Sequence, residues 1–367
     1  MDLIRDFRDA SYIKGILGAI KSESYRPINI MEICGGHTHT IMRFGLNQLL
    51  SDNINFVHGP GCPVCIIPKE RIDHAILLSR QEDIILATLG DMMRVPGSLG
   101  SLIKERAEGR DIRMIYSPMD VIDIAKKNPD KMVVYFAIGF ETTTPMTAAL
   151  LDLTIQAGIK NIFLHVNHVL VPPPINAIMS SGDISIDAFI GPGHVSAITG
   201  TKIYEPIVKR YKTPVVIAGF EPLDILQAVL MIMRQFKENR CEVENQYKRG
   251  VNIEGNKKAQ GLIKKYFETR DSFRWRGLGD IPESGLKLRD EFAKWDAEVV
   301  FSDILNVKPV DDHVLCRCGD ILRGRIKPFD CIIFGKACTP ENPFGPCMVS
   351  SEGACQAYYK YSMESVV

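Results

Sequence analysis

The strongest constraint on the fold of this chain is a series of eight short apolar runs that alternate with helical patterns. The runs span residues 28–33, 55–58, 84–89, 112–116, 133–138, 161–166, 186–190 and 214–219. Several are apolar on both faces, as strands are when helices cover both sides of a sheet. Helical patterns lie between or after them, at 40–50, 68–80, 98–107, 119–127, 143–157 and 222–237. This alternation predicts an α/β fold with open, mainly parallel sheets.

Two short motifs recur along this strand-rich part of the chain. GPG occurs at 59–61 and 191–193, each time just after a predicted strand, and GFE occurs at 139–141 and 219–221, between a strand and a helix. Similar loops at the carboxyl ends of strands, where open sheets bind ligands, indicate two related α/β lobes. Chance reuse of glycine-rich turns is the alternative, since the spacings of the two motifs differ.

The chain is long enough for two or three domains, because 367 residues exceed the usual domain size of roughly 100–200 residues. We expect a first α/β lobe at 1–130 and a second at 131–240. The third region, 241–367, is expected to begin as a polar, helical and loop-rich connector that packs across the lobes. It ends in a cysteine-rich module.

Charge and hydropathy exclude several classes of protein. Lys and Arg together number 44, as do Asp and Glu, so no basic excess attracts nucleic acid or an anionic membrane. We find no apolar run of about 18 residues or more, and hence expect no transmembrane helix. The start, MDLIRDFRDASYIK, reads as an amphipathic helix rather than a signal peptide. We therefore expect a cytoplasmic protein whose ten cysteines serve metal binding or transient redox chemistry.

The motif ICGGHTHT, at 33–40, follows a predicted strand and precedes a helical pattern. It places Cys34, His37 and His39 within six residues, and Gly35 and Gly36 permit a tight turn with exposed backbone N–H groups. A thiol at a helix N-terminus is expected to have a lowered pKa, and thiolate and imidazole are good ligands for iron, zinc and copper. The alternative is a buried cysteine with two capping or loop histidines.

The motif HGPGCPVC, at 58–65, contains a C-x-x-C pair, Cys62 and Cys65, directly after Gly61. This spacing suits a dithiol/disulfide couple or half of a tetrahedral metal site. The chain has no second C-x-x-C, which disfavours a four-cysteine zinc ribbon. We therefore prefer the redox couple, with metal ligation and an inert pair as alternatives.

Six further cysteines crowd the C-terminal end of the chain, at 316, 318, 331, 338, 347 and 355. So many soft thiolate ligands, with no histidine between 314 and 367, favour an iron–sulfur cluster over zinc. Spacing alone does not choose the four ligands, which we expect among Cys318, Cys331, Cys338, Cys347 and Cys355. The predicted fold class is thus two related, open, mainly parallel α/β lobes plus a C-terminal iron–sulfur cluster module.

Three polar residues of the repeated loops have two interpretations. Glu141 and Glu221, in the GFE motifs, either cap the helices that follow them or face the ligand crevice. His194, in GPGHVS, is either a loop residue or a cofactor-binding residue of the same crevice.

Taken together, ICGGHTHT, HGPGCPVC, GFETT, GPGHVS, AGFEP and the C-terminal cysteine pattern resemble the hydrogenase formation (HypD) family over essentially the whole chain. The resemblance implies a scaffold that builds the Fe(CN)2CO unit of [NiFe]-hydrogenases and carries one [4Fe-4S] cluster. It implies that Cys34 binds the iron together with a terminal cysteine of a small HypC-type partner. Cyanide is then expected from HypE acting with HypF, and the C-terminal cluster is expected to relay electrons to Cys62 and Cys65.

The motifs are physically suited to such a role. Backbone N–H groups of Gly35, Gly36 and Gly61 can stabilise the negative charge of iron that carries cyanide. We expect His37 and His39 to donate hydrogen bonds to cyanide or to the Cys34 sulfur.

Two further expectations complete this hypothesis. Glu141 and Glu221 are expected to orient the two imidazoles. The fold is expected to bring Cys34, Cys62 and Cys65 to one cleft, with the cluster below it.

Two other functions fit the same residues. A cluster-dependent thiol–disulfide reductase uses Cys62 and Cys65 but gives Cys34 no role, and a structural zinc protein predicts a colourless chain. Whether the protein turns over as an enzyme stays open, and we expect an assembly scaffold with redox activity rather than a conventional enzyme.

Overall fold

The computed structural model describes residues 5–23, 26–50, 53–182 and 185–363. Its strands, in chain order, are β1 (Ile28–Glu32), β2 (Ile54–His58), β3 (Ile84–Leu89), β4 (Ile112–Ile115), β5 (Met132–Gly139), β6 (Ile162–His168), β7 (Ala188–Pro192), β8 (Val215–Ala218), β9 (Val243–Asn245), β10 (Phe267–Thr269), β11 (Ser272–Trp275), β12 (Gly279–Pro282) and β13 (Leu286–Leu288). All eight predicted apolar runs form strands, at bounds that differ from the prediction by two residues or fewer.

Most of the predicted helical patterns also form helices. The helices, in chain order, are α1 (Ala10–Glu23), α2 (Gly35–Arg43), α3 (Leu46–Leu49), α4 (Pro63–Ile66), α5 (Lys69–Ser79), α6 (Leu102–Ala107), α7 (Asp120–Lys127), α8 (Thr144–Gln156), α9 (Pro172–Ser181), α10 (Gly193–Thr199), α11 (Glu205–Tyr211), α12 (Pro222–Lys237), α13 (Lys257–Tyr266), α14 (Ala297–Val300), α15 (Cys318–Leu322) and α16 (Ala354–Met363). The predicted N-terminal helix begins only at Ala10, after a 3-10 turn at Asp6–Arg8, and residues 1–4 lie outside the described part.

Two parallel sheets form two α/β lobes, which confirms the predicted fold class. The first sheet has the order β2-β1-β7-β8-β9 and the second the order β4-β3-β5-β6. Every pairing within them is parallel. The chain builds β1 and β2, completes the second sheet, and returns to the first at β7. A boundary at 130/131 therefore separates strands of one sheet, because β3 pairs with β5, which lies beyond it.

The central strand β5 of the second sheet is apolar on both faces because both of its faces are buried. In β5, Val134 and Phe136 belong to one hydrophobic cluster, while Val133, Tyr135 and Ala137 belong to another on the opposite face. All five side chains are at most 1% exposed. Helices cover both faces, as a parallel sheet requires, and this leaves the strand ends as the accessible edges.

The connector contains more strand than the sequence predicted. Its β9 extends the first sheet by pairing with β8, and the pairs β10–β13 and β11–β12 form two small antiparallel sheets. Isolated bridges from Gly285 to Val169 and from Asp296 to Leu164 join the connector to the second lobe. The connector therefore contacts both lobes, as expected. Within the described ranges, no helix has the length and apolar character needed to cross a membrane.

Candidate metal and thiol site

The carboxyl ends of the two sheets meet around a cavity of about 380 Å³. Loops that follow strands of both lobes line it, as expected where the carboxyl ends of parallel strands face each other. Residues of the predicted motifs dominate this lining: Cys34, Gly61, Pro63, Val64, Gly139, Thr142, Thr143, Pro192 and His194. The C-terminal module closes one side with Ser350 and Glu352. The fold thus brings Cys34, the loop residues Pro63 and Val64 and the repeated loops to one cleft, whereas the sulfurs of Cys62 and Cys65 are not part of its lining.

Cys34 caps the N-terminus of α2 and lies against the GPG loop. Its backbone N–H donates a hydrogen bond to Glu32 Oε2 over 3.0 Å, and Gly35 N–H donates to the Gly61 carbonyl over 3.2 Å. A Cβ at Gly61 would lie 2.2 Å from the Cys34 nitrogen and 2.4 Å from its Cα. Only glycine fits there, so this contact fixes the distance between the Cys34 loop and the Cys62 loop.

The thiol of Cys34 does not have the lowered pKa that its position predicts. Desolvation raises its pKa well above the ordinary value, and the carboxylates of Glu352 and Glu32 raise it further. Hydrogen bonds from the backbone N–H groups of Gly36 and His37 act in the opposite direction but are weaker. A thiol held beside two carboxylates favours a bound cation, since the cation supplies the missing positive charge.

Glu32 is a site residue that the sequence analysis missed. It is 0% exposed, and its carboxylate accepts hydrogen bonds from His58 Nδ1 at 2.7 Å and from the Thr38 hydroxyl. His58 Nε2 in turn lies 3.0 Å from the Tyr358 hydroxyl. This buried network joins β1, β2, α2 and α16 behind Cys34. The available signal was an acidic residue inside the otherwise apolar run at 28–33.

His37 is buried and neutral. Burial lowers its pKa to about 4, and its Nε2–H donates to the Gly219 carbonyl at 3.0 Å. Its Nδ1 is buried and has no hydrogen-bond partner among the described residues. Because Nε2 carries the proton of the neutral ring, Nδ1 of His37 is a hydrogen-bond acceptor. We had expected His37 to donate a hydrogen bond to cyanide or to the Cys34 sulfur.

His39 lies at the mouth of the site. Its Nδ1 is 3.4 Å from the Ser351 carbonyl, and its Nε2 is 3.2 Å from the Tyr361 hydroxyl of α16. Desolvation lowers its pKa. With His194 it lines a second, more open cavity of about 330 Å³ beside the first.

Phe220 lies between two imidazoles and was not singled out from the sequence. Its ring stacks on His194 at 3.8 Å and on His37 at 4.9 Å between centroids. His194 is the loop residue predicted to face the crevice, and it lines both cavities. Desolvation lowers its pKa, so the stack presents two neutral rings.

The two GFE glutamates do not orient the imidazoles. Glu141 accepts a hydrogen bond from the Val171 backbone N–H at 3.0 Å, and its Oε2 is buried with no partner in the described part of the chain. Glu221 is the N-cap residue of α12 and accepts a hydrogen bond from the Arg8 guanidinium at 2.9 Å. The expected contact to His37 and His39 is therefore wrong. Burial raises the pKa of Glu141 to about 7.

Cys62 and Cys65 are joined by a disulfide at the start of α4. Both are buried, at 3% and 1% exposure, and Cys65 Sγ lies 4.0 Å from the Pro346 carbonyl. Pro346 directly precedes Cys347 of the C-terminal module. The disulfide favours the redox-couple interpretation over metal ligation by the same two thiols, and it places the pair against the predicted cluster module.

Four C-terminal cysteines form one group. The thiol of Cys318 lies close enough to those of Cys316, Cys347 and Cys355 to shift the pKa of each. Three of these four belong to the predicted ligand set, whereas Cys316 was left out of it. The pKa of Cys347 is lowered to about 6, chiefly by the hydrogen bonds from Cys318 and Cys355.

The two remaining candidates lie outside this group. Cys331 Sγ lies 3.8 Å from the Leu315 carbonyl, and Cys338 Sγ accepts a hydrogen bond from the Phe344 N–H at 3.4 Å. Desolvation raises the pKa of Cys338, and the charges of Cys318 and Cys316 raise it further.

The donor set of the group fits a metal or iron–sulfur cluster. Soft thiolates in this number suit both. A Cβ at Gly345 would lie 2.5 Å from Cys316 Sγ and 2.7 Å from Cys318 Sγ. Glycine therefore leaves the space next to these sulfurs open.

A second cluster of potential metal ligands lies in the core of the second lobe. It consists of His74, His165 and Glu298, whose ligand atoms lie within 4.8 Å of one another. The two histidines share a hydrogen bond of 3.1 Å. The carboxylate of Glu298 is paired with the guanidinium groups of Arg71 and Arg270. Because its polar groups already have partners and two cations adjoin it, this cluster is a structural network.

The motifs, the fold and the geometry agree with the comparisons to known proteins. A family model described as "HypD: Hydrogenase formation hypA family" matches residues 11–362. The chain is 53% identical over 365 residues to "Hydrogenase maturation factor HypD2" of Bradyrhizobium diazoefficiens, covering 97% of this chain and 96% of the relative. It is 48% identical to HypD of Azotobacter vinelandii, with 99% and 98% covered. It is 45% identical to HypD of Escherichia coli K12, with 92% and 90% covered.

Proposed function

The chain belongs to the HypD family of hydrogenase maturation factors, and on that premise we propose that it is the scaffold on which the Fe(CN)2CO unit of [NiFe]-hydrogenases is assembled. The resemblance inferred from the motifs is confirmed by the comparisons. The observation that carries the proposal is the placement of Cys34 in the cavity between the lobes, beside a disulfide that adjoins the C-terminal cysteine group.

Cys34 is the proposed ligand of the iron, which is cargo rather than a resident cofactor. The cavity of about 380 Å³ is large enough for an iron atom with small diatomic ligands. The nearby N–H groups of Gly36 and His37 act to lower the pKa of the Cys34 thiol and stabilise it as a thiolate once iron has displaced the proton. The stacked rings of His194 and Phe220 exclude water from this side of the cargo.

A HypC-type partner is proposed to supply the second thiolate. The more open cavity of about 330 Å³ shares His194 and Glu352 with the inner one and is lined by His39 and Arg43. A terminal cysteine of the partner would enter by this route and supply its thiolate to the iron held by Cys34. HypE, acting with HypF, is the proposed source of the cyanide groups.

The disulfide and the C-terminal cysteines form the proposed electron route. When bound, a [4Fe-4S] cluster supplies one-electron transfer. Cys316, Cys318, Cys347 and Cys355 are the proposed holders. The Cys62–Cys65 disulfide takes up two electrons and two protons to become two thiols, and an external one-electron donor acts twice. Pro346, which lies between the pair and Cys347, keeps this path short.

The same pair also fits a cluster-dependent thiol–disulfide reductase, which is favoured by the packing of Cys65 against Pro346. That function gives no role to Cys34, to the cavity between the lobes, or to the Gly61 contact that holds them together. The scaffold accounts for all three features.

The test is anaerobic purification together with a HypC-type partner, followed by infrared spectroscopy in the region where metal-bound CO and cyanide absorb. We expect bands in the native protein and in the control Cys241→Ser, a half-exposed cysteine outside the site. Cys34→Ser is expected to lose them. Absence of bands from the native complex, with cluster-dependent reduction of the disulfide intact, favours the reductase instead.

A further inference from the structure

A patch of exposed apolar side chains lies beside two of the C-terminal cysteines. This apolar patch consists of Val314 (89% exposed), Leu315 (44%), Phe329 (56%) and Ile332 (70%). Leu315 directly precedes Cys316, and Ile332 directly follows Cys331. The Leu315 carbonyl lies 3.8 Å from Cys331 Sγ, so the two segments of the patch meet although they are separate in the sequence.

The apolar patch is held in a fixed position by packing beneath it. The Phe329 ring lies 5.4 Å from the rings of Phe334 and Tyr358, measured between centroids. The same part of the chain buries Ile321 and Ile333 in the core, so it does not lack a place for apolar side chains. Single exposed apolar residues are common on protein surfaces, whereas an apolar group with a polar border marks an interaction site.

The border of the apolar patch carries excess positive charge. The charged residues between positions 314 and 332 are Arg317, Arg323, Arg325 and Lys327 against Asp320 and Asp330. Arg317 and Arg325 both pair with the one carboxylate of Asp320, so these three residues keep one positive charge. Lys327 is exposed. Four basic against two acidic residues leave an excess of two, in a chain whose formal net charge is zero.

Acidic residues just outside this segment do not cancel the excess. Asp311 and Asp312 are paired with Arg274 and Arg276, which bring their own positive charges. Beyond the segment, one exposed lysine at 336 and one exposed glutamate at 341 offset each other. The surface around the apolar patch is therefore basic.

The proposed electron route needs a donor that reaches the C-terminal cysteine group from outside the chain. Leu315 of the apolar patch is bonded to Cys316, which is one of the proposed holders of the cluster. Proteins that exchange electrons meet through small interfaces, which bury less than about 1,200 Å². Complementary charge brings them together and orients them. A few exposed apolar side chains with a charged border suit such an encounter.

We propose that the apolar patch and its basic border bind a small, acidic protein that carries single electrons. This inference rests on the proposed function, since it supplies the external donor of that electron route. Each encounter oxidises the carrier by one electron. Two encounters, together with two protons, convert the Cys62–Cys65 disulfide into two thiols. The apolar side chains form the centre of the interface, and the arginines and lysines attract the carboxylates of the carrier.

The test is the affinity of the full chain, reconstituted anaerobically with iron and sulfide, for an acidic [2Fe-2S] ferredoxin, measured by isothermal titration calorimetry. We expect binding that weakens as the salt concentration rises, and no binding of a basic cytochrome c. The double variant Val314→Asp with Ile332→Asp is expected to raise the Kd for ferredoxin at least tenfold, because it places two carboxylates in the centre of the interface.

Tyr116→Asp is the matched control. Tyr116 is 89% exposed, as Val314 is, but follows β4 in the second lobe, so its replacement is expected to leave the Kd unchanged. Iron and sulfide content checks that each variant holds its cluster. Should the double variant lose it, Lys327→Glu decides, and an unchanged Kd in that variant overturns the inference.

The outcomes separate this inference from the proposed function. A native chain that takes up a cluster but does not bind the ferredoxin overturns the inference alone, as does a double variant that binds it as the native chain does. If the double variant weakens self-association or binding of a HypC-type partner instead, with ferredoxin binding unchanged, the apolar patch belongs to that interface and the inference is wrong. A native chain that takes up no cluster overturns the proposed electron route and the inference with it.

Discussion

The unpartnered carboxyl of Glu141 makes a quantitative prediction about stability and pH. Burial raises its pKa from 4.5 to about 7, so the folded state favours the protonated form. The stabilisation of the folded state by protonated Glu141 is fully present below pH 4.5 and is lost as the pH rises through about 7. The whole effect is about 3.4 kcal/mol, at about 1.36 kcal/mol for each pKa unit. Between pH 5 and pH 8 the loss is about 2.5 kcal/mol.

Glu141→Gln isolates this effect because glutamine copies the protonated side chain and keeps an acceptor for the Val171 N–H. We expect the difference in unfolding free energy between the variant and the native chain to grow by about 2.5 kcal/mol from pH 5 to pH 8. Urea unfolding at several pH values measures it, and other titrating groups cancel in the difference. Glu221→Gln, in the second GFE motif, is the control and should cost less than about 1 kcal/mol, as partly exposed ion pairs do. A Glu141 difference that stays constant across this range refutes the reasoning, since it means that water reaches Oε2.

Three further predictions address the site and its supports. Gly61→Ala should lower the unfolding free energy by about 1–3 kcal/mol and reduce iron binding at Cys34, measured by denaturation and iron analysis; unchanged iron binding contradicts the fixed contact between the loops. Glu298→Gln leaves buried Arg71 and partly buried Arg270 without their carboxylate and should cost about 3–5 kcal/mol, with the zinc and iron content per folded chain unchanged. A loss of metal contradicts the structural assignment. Cys316→Ser should lower the iron and sulfide content of reconstituted protein, whereas Cys241→Ser should not; equal contents contradict the grouping of the four cysteines.

The eight strands could be predicted from the sequence because each is a short, mainly apolar run, and several are buried on both faces. The site loops could be placed as well. Motifs at strand ends meet at one edge of a parallel sheet whatever the strand order, so Cys34, Gly61 and Cys62 had to lie near one another once their strands paired.

The order of the strands could not be predicted. Strand β7 pairs with β1 from Ala188 and Ile30 onwards, and these two residues are more than 150 positions apart in the sequence. The local alternation of strands and helices carries no information about such a pairing. For this reason the predicted division into consecutive lobes differs from the interleaved sheets, although two α/β lobes were expected.

The sequence by itself determined which thiols and imidazoles we propose as site residues, because such groups in short glycine-rich motifs have few other uses. The tertiary structure alone decided their state. The pKa of Cys34 is raised rather than lowered because residues distant in sequence exclude water and add Glu352 beside it. Burial and electrostatic partners belong to the folded chain and to no single segment of it.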